Sequence, residues 1–253
     1  MSDKVIFTKR IIMKLYGNPL NRWTALLGIG CLLSLLFTSC LKSKNDYTPP
    51  PAGYVTFFQA VPDEEPIDLY FNSNKVNLAP LHYGDGIDYF QAFPGLRTVN
   101  IYDSNSHSQL FSDTATIKPN IAYSLFLVKN TAQQPGLFLV TDSISKPATG
   151  KATLRFINVS PDAPAVDLAV KDSAAFVTNK GFKGFSSFIP KTGGQTYNFE
   201  IRQHGTTTVL ATLSGVTLNS GLVYTIWLHG LATTAIDADK LTASIVTNAY
   251  YSY

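Results

Sequence analysis

Beyond residue 53 the chain is a succession of short segments in which apolar residues either alternate with polar ones or run together. Alternation at period two is clearest in Arg97-Thr98-Val99-Asn100-Ile101-Tyr102 and in Thr196-Tyr197-Asn198-Phe199-Glu200-Ile201, the mark of a strand with one buried face. Leu125, Leu127, Ile226, Leu228, Ser244 and Val246 lie in similar segments rich in β-branched and aromatic residues. Turn clusters interrupt them at Asn72-Ser73-Asn74, Phe93-Pro94-Gly95, Thr192-Gly193-Gly194 and Leu218-Asn219-Ser220-Gly221, where Gly, Asn and Pro supply the dihedrals that a reversal needs. No helical period occurs past the first forty residues. The pattern predicts an all-β protein.

The segments come twice. Tyr54-Val55-Thr56-Phe57-Phe58-Gln59-Ala60-Val61-Pro62-Asp63 is echoed by Thr153-Leu154-Arg155-Phe156-Ile157-Asn158-Val159-Ser160-Pro161-Asp162, an offset of 99 residues. Asp68-Leu69 returns as Asp167-Leu168, Arg97–Ile101 faces Gln195–Phe199, and Ile121–Leu125 faces Leu222–Ile226. A period near one hundred residues is too long for a solenoid unit and suits a whole small domain. With about seven segments in each copy, the expectation is two tandem Ig-like antiparallel β-sandwiches. A tyrosine follows a turn early in a strand at both Tyr123 and Tyr224. That is the layout of a tyrosine corner, whose hydroxyl bonds back across the turn; the alternative is a tyrosine that only packs at the strand's edge.

The N-terminal stretch has a different character. Lys4, Lys9, Arg10, Lys14 and Arg22 precede an apolar run from Trp23 to Phe37, then Thr38-Ser39-Cys40. A basic start, an apolar middle and small residues before a cut are the parts of a secretory signal. The run is shorter than the ~20 residues of a transmembrane helix. Thr38-Ser39-Cys40 resembles the lipobox of bacterial lipoproteins, with Leu36 one place earlier than that pattern prefers. The resemblance implies cleavage before Cys40 and acylation of its thiol, with several chains giving a firm membrane anchor. Leu41 follows, not an inner-membrane retention Asp, so the expected site is the cell envelope, at the outer membrane. Met13 is an alternative start. The expected organisation is a signal peptide over 1–39, a lipidated N-terminus and Pro-rich tether over 40–53, domains over 54–145 and 152–253, and a linker over 146–151.

The signal changes the charge. The whole chain carries 20 Lys/Arg against 17 Asp/Glu. Without residues 1–39 it keeps 15 basic and 16 acidic residues, so nucleic acid is not an expected partner. Cys31 leaves with the signal and Cys40 is the lipid site, so the cores must hold without a disulfide.

The sharpest motif of the folded region is Ser160-Pro161-Asp162-Ala163-Pro164-Ala165-Val166-Asp167. Pro161 presets a turn, Asp162 can cap it with its carboxylate, and Pro164 holds the chain extended before a strand. The first copy has Pro62, Asp63 and Asp68 at the matching places. Here the chain resembles the bacterial family catalogued as domain of unknown function 4397, over most of residues 54–247. The resemblance implies β-sandwich domains on exported, often lipid-anchored proteins, and it brings no catalytic residues with it.

Candidate chemistry is sparse. Asp162 with Asp167, or Asp63 with Glu64 and Asp68, could ligate a hard cation, but turn structure is the preferred reading and no metal or cofactor is expected. His82, His107, His204 and His229 lack the spacing of a zinc site, and no nucleophile motif is present. The expectation is a non-enzymatic binding or scaffolding module. Its alternative is a carbohydrate-binding lipoprotein that stacks sugars on the loop aromatics Tyr83, Tyr89, Phe90 and Phe93. A glycan or an envelope protein is the expected partner.

Overall fold

The computed structural model describes residues 50–62 and 65–252. The expected signal, Cys40 and most of the tether lie outside the described residues, as do Asp63, Glu64 and Tyr253. The first copy folds as β1 (Gly53–Gln59), β2 (Ile67–Phe71), β3 (Asn74–Lys75), β4 (Gly86–Ala92), β5 (Gly95–Asp103), β6 (Gln109–Ile117), β7 (Ala122–Lys129) and β8 (Pro135–Asp142). The second repeats it as β9 (Lys151–Asn158), β10 (Val166–Val170), β11 (Ala175–Lys180), β12 (Ile189–Thr192), β13 (Gln195–Gln203), β14 (Val209–Leu218), β15 (Leu222–His229) and β16 (Thr242–Tyr250). No α-helix occurs among the described residues; a short 3-10 turn at Asp237–Asp239 precedes β16.

Each copy is a sandwich of two four-stranded sheets. The orders are β4-β1-β7-β8 with β3-β2-β5-β6, and β12-β9-β15-β16 with β11-β10-β13-β14. The all-β reading holds, with eight strands per copy where about seven were expected. One pair in each copy is parallel, β1 with β7 and β9 with β15, so the sheets are not purely antiparallel.

Those parallel strands explain the apolar runs. Val55 and Phe57 on β1, with Tyr123, Leu125 and Leu127 on β7, fill the first sandwich's core together with Ile67, Leu69, Val99 and Ile101. Their neighbours Phe58, Phe126 and Val128 point the other way, into a third apolar cluster with Ile157, Val159 and Trp227 of the second copy. The inner sheets of the two sandwiches therefore pack face to face. A strand buried on both faces reads as a continuous apolar run, whereas β5 and β13 in the outer sheets keep one wet face and alternate. Phe58 stacks on Phe126 at 4.8 Å between centroids, and Trp227 closes on both at 5.5 and 5.8 Å.

A polar network crosses the same joint. Arg155, in the middle of β9, is buried and ion-paired at 2.6 Å with the buried Asp142 at the end of β8. The guanidinium also donates to Ser124 Oγ at 2.7 Å and to Thr225 Oγ1 at 2.8 Å. Asp142 accepts further bonds from Ser124 and Tyr89, and Asn248 donates to the Tyr89 hydroxyl at 3.0 Å. Burying an ion pair returns little net stability, because desolvation offsets the attraction. Each large apolar side chain buried contributes about 1.5–3 kcal/mol. The aromatic cluster thus supplies the energy of the joint, and the ion pair fixes its register.

Both tyrosine corners are present. The Tyr123 hydroxyl accepts the Lys118 N–H at 3.2 Å, and the Tyr224 hydroxyl accepts the Asn219 N–H at 3.0 Å. The C-terminal tyrosines extend the sheet: Tyr250 pairs with Leu222, and the Tyr251 N–H reaches Gly221 O at 2.9 Å.

Removing either partner of the joint's ion pair strands a buried charge, which costs about 3–5 kcal/mol. Arg155→Leu and Asp142→Leu are each expected to lower stability on that scale in urea unfolding, and the double variant to lose less than either single. Additive losses would show that the two groups are not coupled.

Candidate functional site

The four loop aromatics singled out in the sequence do not form a platform. Strand alternation sends Tyr89 and Phe90 to opposite faces of β4. Tyr89 turns into the joint, hydrogen-bonded to Asp142 and Asn248, and burial next to that carboxylate raises its pKa. Tyr83 also serves the joint, with its hydroxyl 2.8 Å from His229 Nδ1. Phe90 packs edge-on to Phe71 at 5.0 Å, against the first sandwich's core. Only Phe93 is largely exposed, at 63%. A sugar-stacking surface built from all four is therefore corrected: two of them are structural members of the joint.

Phe90 and Phe93 do line a groove, at the edge of the first sandwich where β3 and β4 face each other across the two sheets. It is a cavity of about 310 Å³ with Phe71, Val76 and Ala92 in its apolar lining, and Asn72, Asn74, Lys75, Gln91 and Arg97 as polar lining. A second hollow of about 490 Å³ continues from Val76 and Phe90 past Leu78 and Pro80 toward Asp85 and Asp88. Pockets of a few hundred Å³ with mainly apolar walls and a few convergent polar groups are the usual form of ligand sites.

The second sandwich shows why the groove is open. Val76 N–H bonds to Leu69 O at 2.9 Å beside the pairing of Tyr70 with Lys75, whereas β11 bulges there: Ala175 pairs with Ala169 and Val177 with Leu168, and Phe176 is the extra residue between them. The pairings of Gly53 with Ala92 and of Ala152 with Lys191 put Ala92 at the place of Lys191. In the second copy the Lys191 ammonium lies over the Phe176 ring and bridges β11 and β12. The first copy lacks the bulge residue and has Ala92 in place of the lysine, so that plug is missing. In addition, β3 has two residues where β11 has six, so less of the gap is covered.

The groove's rim is held in place. Arg97 Nε donates to Phe93 O at 2.8 Å and one terminal nitrogen donates to Pro94 O, so the guanidinium clamps the β4–β5 turn that presents Phe93. Gly95, at φ 108°, takes a conformation there that side chains resist. Lys75 Nζ pairs with Asp68 at 2.7 Å.

The Pro-Asp motif is structural, and its reach is longer than a local turn. Asp162 accepts from the Ala232 and Thr233 N–H groups and the Thr233 hydroxyl at 2.6–3.0 Å, pinning the β15–β16 loop. Ser160 adds one local bond to it at 3.3 Å. Burial alone would raise the Asp162 pKa, but these donors outweigh it and lower the value. Asp167 behaves alike: burial opposes, and the Asn179 N–H, His204 and the Gly205 N–H hold it down. Asp68 accepts from Lys75 and Asn77. Among the motif's other members, Ser160 and Pro62 are buried, Pro161 is half-buried and Pro164 is exposed. Among the described residues no three His, Cys, Asp or Glu side chains come together as a metal site.

His229 was readable only as a strand residue. It is buried in the joint, stacked on Trp227 at 4.1 Å, with its ring nitrogens on Tyr83 Oη and on Ser244 Oγ at 2.9 Å. Burial lowers its pKa to about 4. The sequence reading missed Arg155, Lys75 and Arg97. A lone basic residue inside an apolar strand was the available signal for Arg155; the other two had none.

Residues 53–169 match the model of a family described as a domain of unknown function, DUF4397. The match covers the first sandwich and ends in β10, just past the Ser160–Asp167 motif, and is narrower than the stretch over which the sequence carries the resemblance. No curated protein matches the chain. Among solved structures, a family 26 carbohydrate-binding module of Eubacterium rectale Amy13K, in complex with maltoheptaose, is 10% identical, with 78% of this chain and 97% of that chain covered and a TM-score of 0.25. A streptococcal virulence factor that binds α-glucan is 16% identical, with 79% and 99% covered and a TM-score of 0.24. Likenesses at those scores carry no argument here.

The neutral His229 of the folded state binds fewer protons than the unfolded chain between about pH 6.5 and 4. Stability is therefore expected to be full above pH 6.5 and to fall as pH drops through that window. Chemical denaturation across the range checks this, and His229→Gln should flatten the slope.

Proposed function

We propose that this protein is a non-enzymatic binding module, held in the cell envelope by acyl chains on Cys40, with the edge groove of the first sandwich as its ligand seat. The observation that carries the reading is the groove's opening in one copy where Phe176 and Lys191 plug it in the other. The two copies share a fold and differ at this edge, so one presents a seat that the other fills. The buried carboxylates Asp68, Asp142 and Asp167 and the half-buried Asp162 are capped by cations or by backbone N–H groups, which suits structure better than proton transfer. Among ligand classes, a glycan fits a lining that joins ring faces at Phe90 and Phe93 to the amides of Asn72, Asn74 and Gln91.

Restoring the plug tests the seat. In affinity electrophoresis through a panel of polysaccharide gels, residues 41–253 should be retarded by at least one member, and Val76→Phe/Ala92→Lys should lose that retardation while still melting in a cooperative transition. Retention that survives the plug, or release of shortened glycans from the gel, would contradict the reading. For the anchor, metabolic labelling with an alkyne fatty acid should mark the full-length chain in cells and fail on Cys40→Ala.

A further inference from the structure

The groove's polar lining is charged at its ends in a definite sense. At the Phe93 end stand Lys75 and Arg97; at the other, in the adjoining hollow, stand Asp85 and Asp88. Lys75 is matched by Asp68 at 2.7 Å. Arg97 is different. Its Nε and one terminal nitrogen are spent on the carbonyl oxygens of Phe93 and Pro94, which are neutral acceptors, and no carboxylate among the described residues forms an ion pair with it. The same two bonds fix the plane of the guanidinium beside Phe93 before any ligand arrives. A fork held in this way loses little freedom on meeting a carboxylate, and charge-assisted bonds from Arg to carboxylate are about twice as strong as neutral ones.

Resting on the reading of the groove as a glycan seat, we propose that its ligand is an acidic glycan, a polymer containing uronic acid residues. One pyranose ring lies against Phe93 and Phe90, its carboxylate meets Arg97, with Lys75 adding to the local positive potential, and its hydroxyls meet the amides of Asn72 and Gln91. The apolar lining provides the ring contact that any hexose could use, and Arg97 provides the preference for the acid. The Asp85 and Asp88 end disfavours a second carboxylate at that side, so one uronate per groove is the expected stoichiometry.

The test uses residues 41–253 with polygalacturonate and with its carboxyl-reduced neutral form, by affinity electrophoresis and calorimetric titration at low and moderate salt. Wild type is expected to bind the acidic polymer at least tenfold more tightly, with the difference shrinking as salt rises. Arg97→Gln should bring the two polymers to equal affinity, whatever it costs both of them by loosening the β4–β5 turn. Val76→Phe/Ala92→Lys should lose both. Equal affinity of wild type for the two polymers would overturn the acidic preference while leaving the groove reading intact. An Arg97→Gln variant that weakens both polymers by the same factor, and so keeps the preference for the acidic one, would overturn the charge role, since Arg97 would then act only by holding the β4–β5 turn. Binding of either polymer unchanged by the plug would overturn the groove reading and this inference together. No binding of either form would overturn the acidic assignment.

Discussion

The constraint on which the rest depends is that the central strands of two sheets, β1 and β7 in one and β9 and β15 in the other, are buried on both faces. Each sends one set of side chains into its own sandwich and the alternate set into a shared joint. Phe58, Phe126 and Trp227 make that joint favourable by their area. Arg155, bound to Asp142 and Ser124 across it, makes one arrangement of the two copies better than its neighbours, because sliding the faces would strand a buried cation. Removal of charged groups from water is costly, and here the cost is a device for register. Tyr83, Tyr89 and His229 gather at the edge of the joint for the same reason: each polar tip finds a partner that a slipped interface would take away.

The joint places matching elements of both copies against each other. Phe58 and Ile157 are equivalent positions, as are Phe126 and Trp227, and all four lie in the same cluster. A duplication whose copies pair through the same face resembles an isologous dimer joined into one chain. With that face committed to assembly, the positions free to change are at the outer edges of the sandwiches. Ala92 in place of Lys191, and a β3 without the bulge that carries Phe176, lie at such an edge. The fold thus separates a conserved task, holding two sandwiches together, from a variable one, presenting a groove.

Much of the fold was legible because the signals were local. Alternation in Arg97–Tyr102 and Thr196–Ile201 marked the outer sheets, and the repeat offset of 99 residues marked two copies of one unit. The tyrosine corners were legible too, because turn and strand are adjacent in sequence. The joint was not. A run such as Leu154-Arg155-Phe156-Ile157 reports burial without saying what covers the second face, and Arg155 and Asp142 come from different copies. The loop aromatics misled for a related reason: Tyr83 and Tyr89 sit among turn residues, yet their rings are claimed by a partner sheet that only the tertiary structure reveals. The groove was invisible because it arises from one small residue, Ala92, and from a bulge that β3 lacks, and neither means anything except beside Lys191 and Phe176 in the other copy.

The central claim is that the inner sheets weld the two sandwiches into a single cooperative body. Differential scanning calorimetry on residues 41–253 tests it most directly. A single transition whose calorimetric and van't Hoff enthalpies agree is the predicted result, since neither sandwich can open without baring the joint. Two resolved transitions, or a calorimetric enthalpy near twice the van't Hoff value, would mean that the sandwiches unfold independently and would contradict the account.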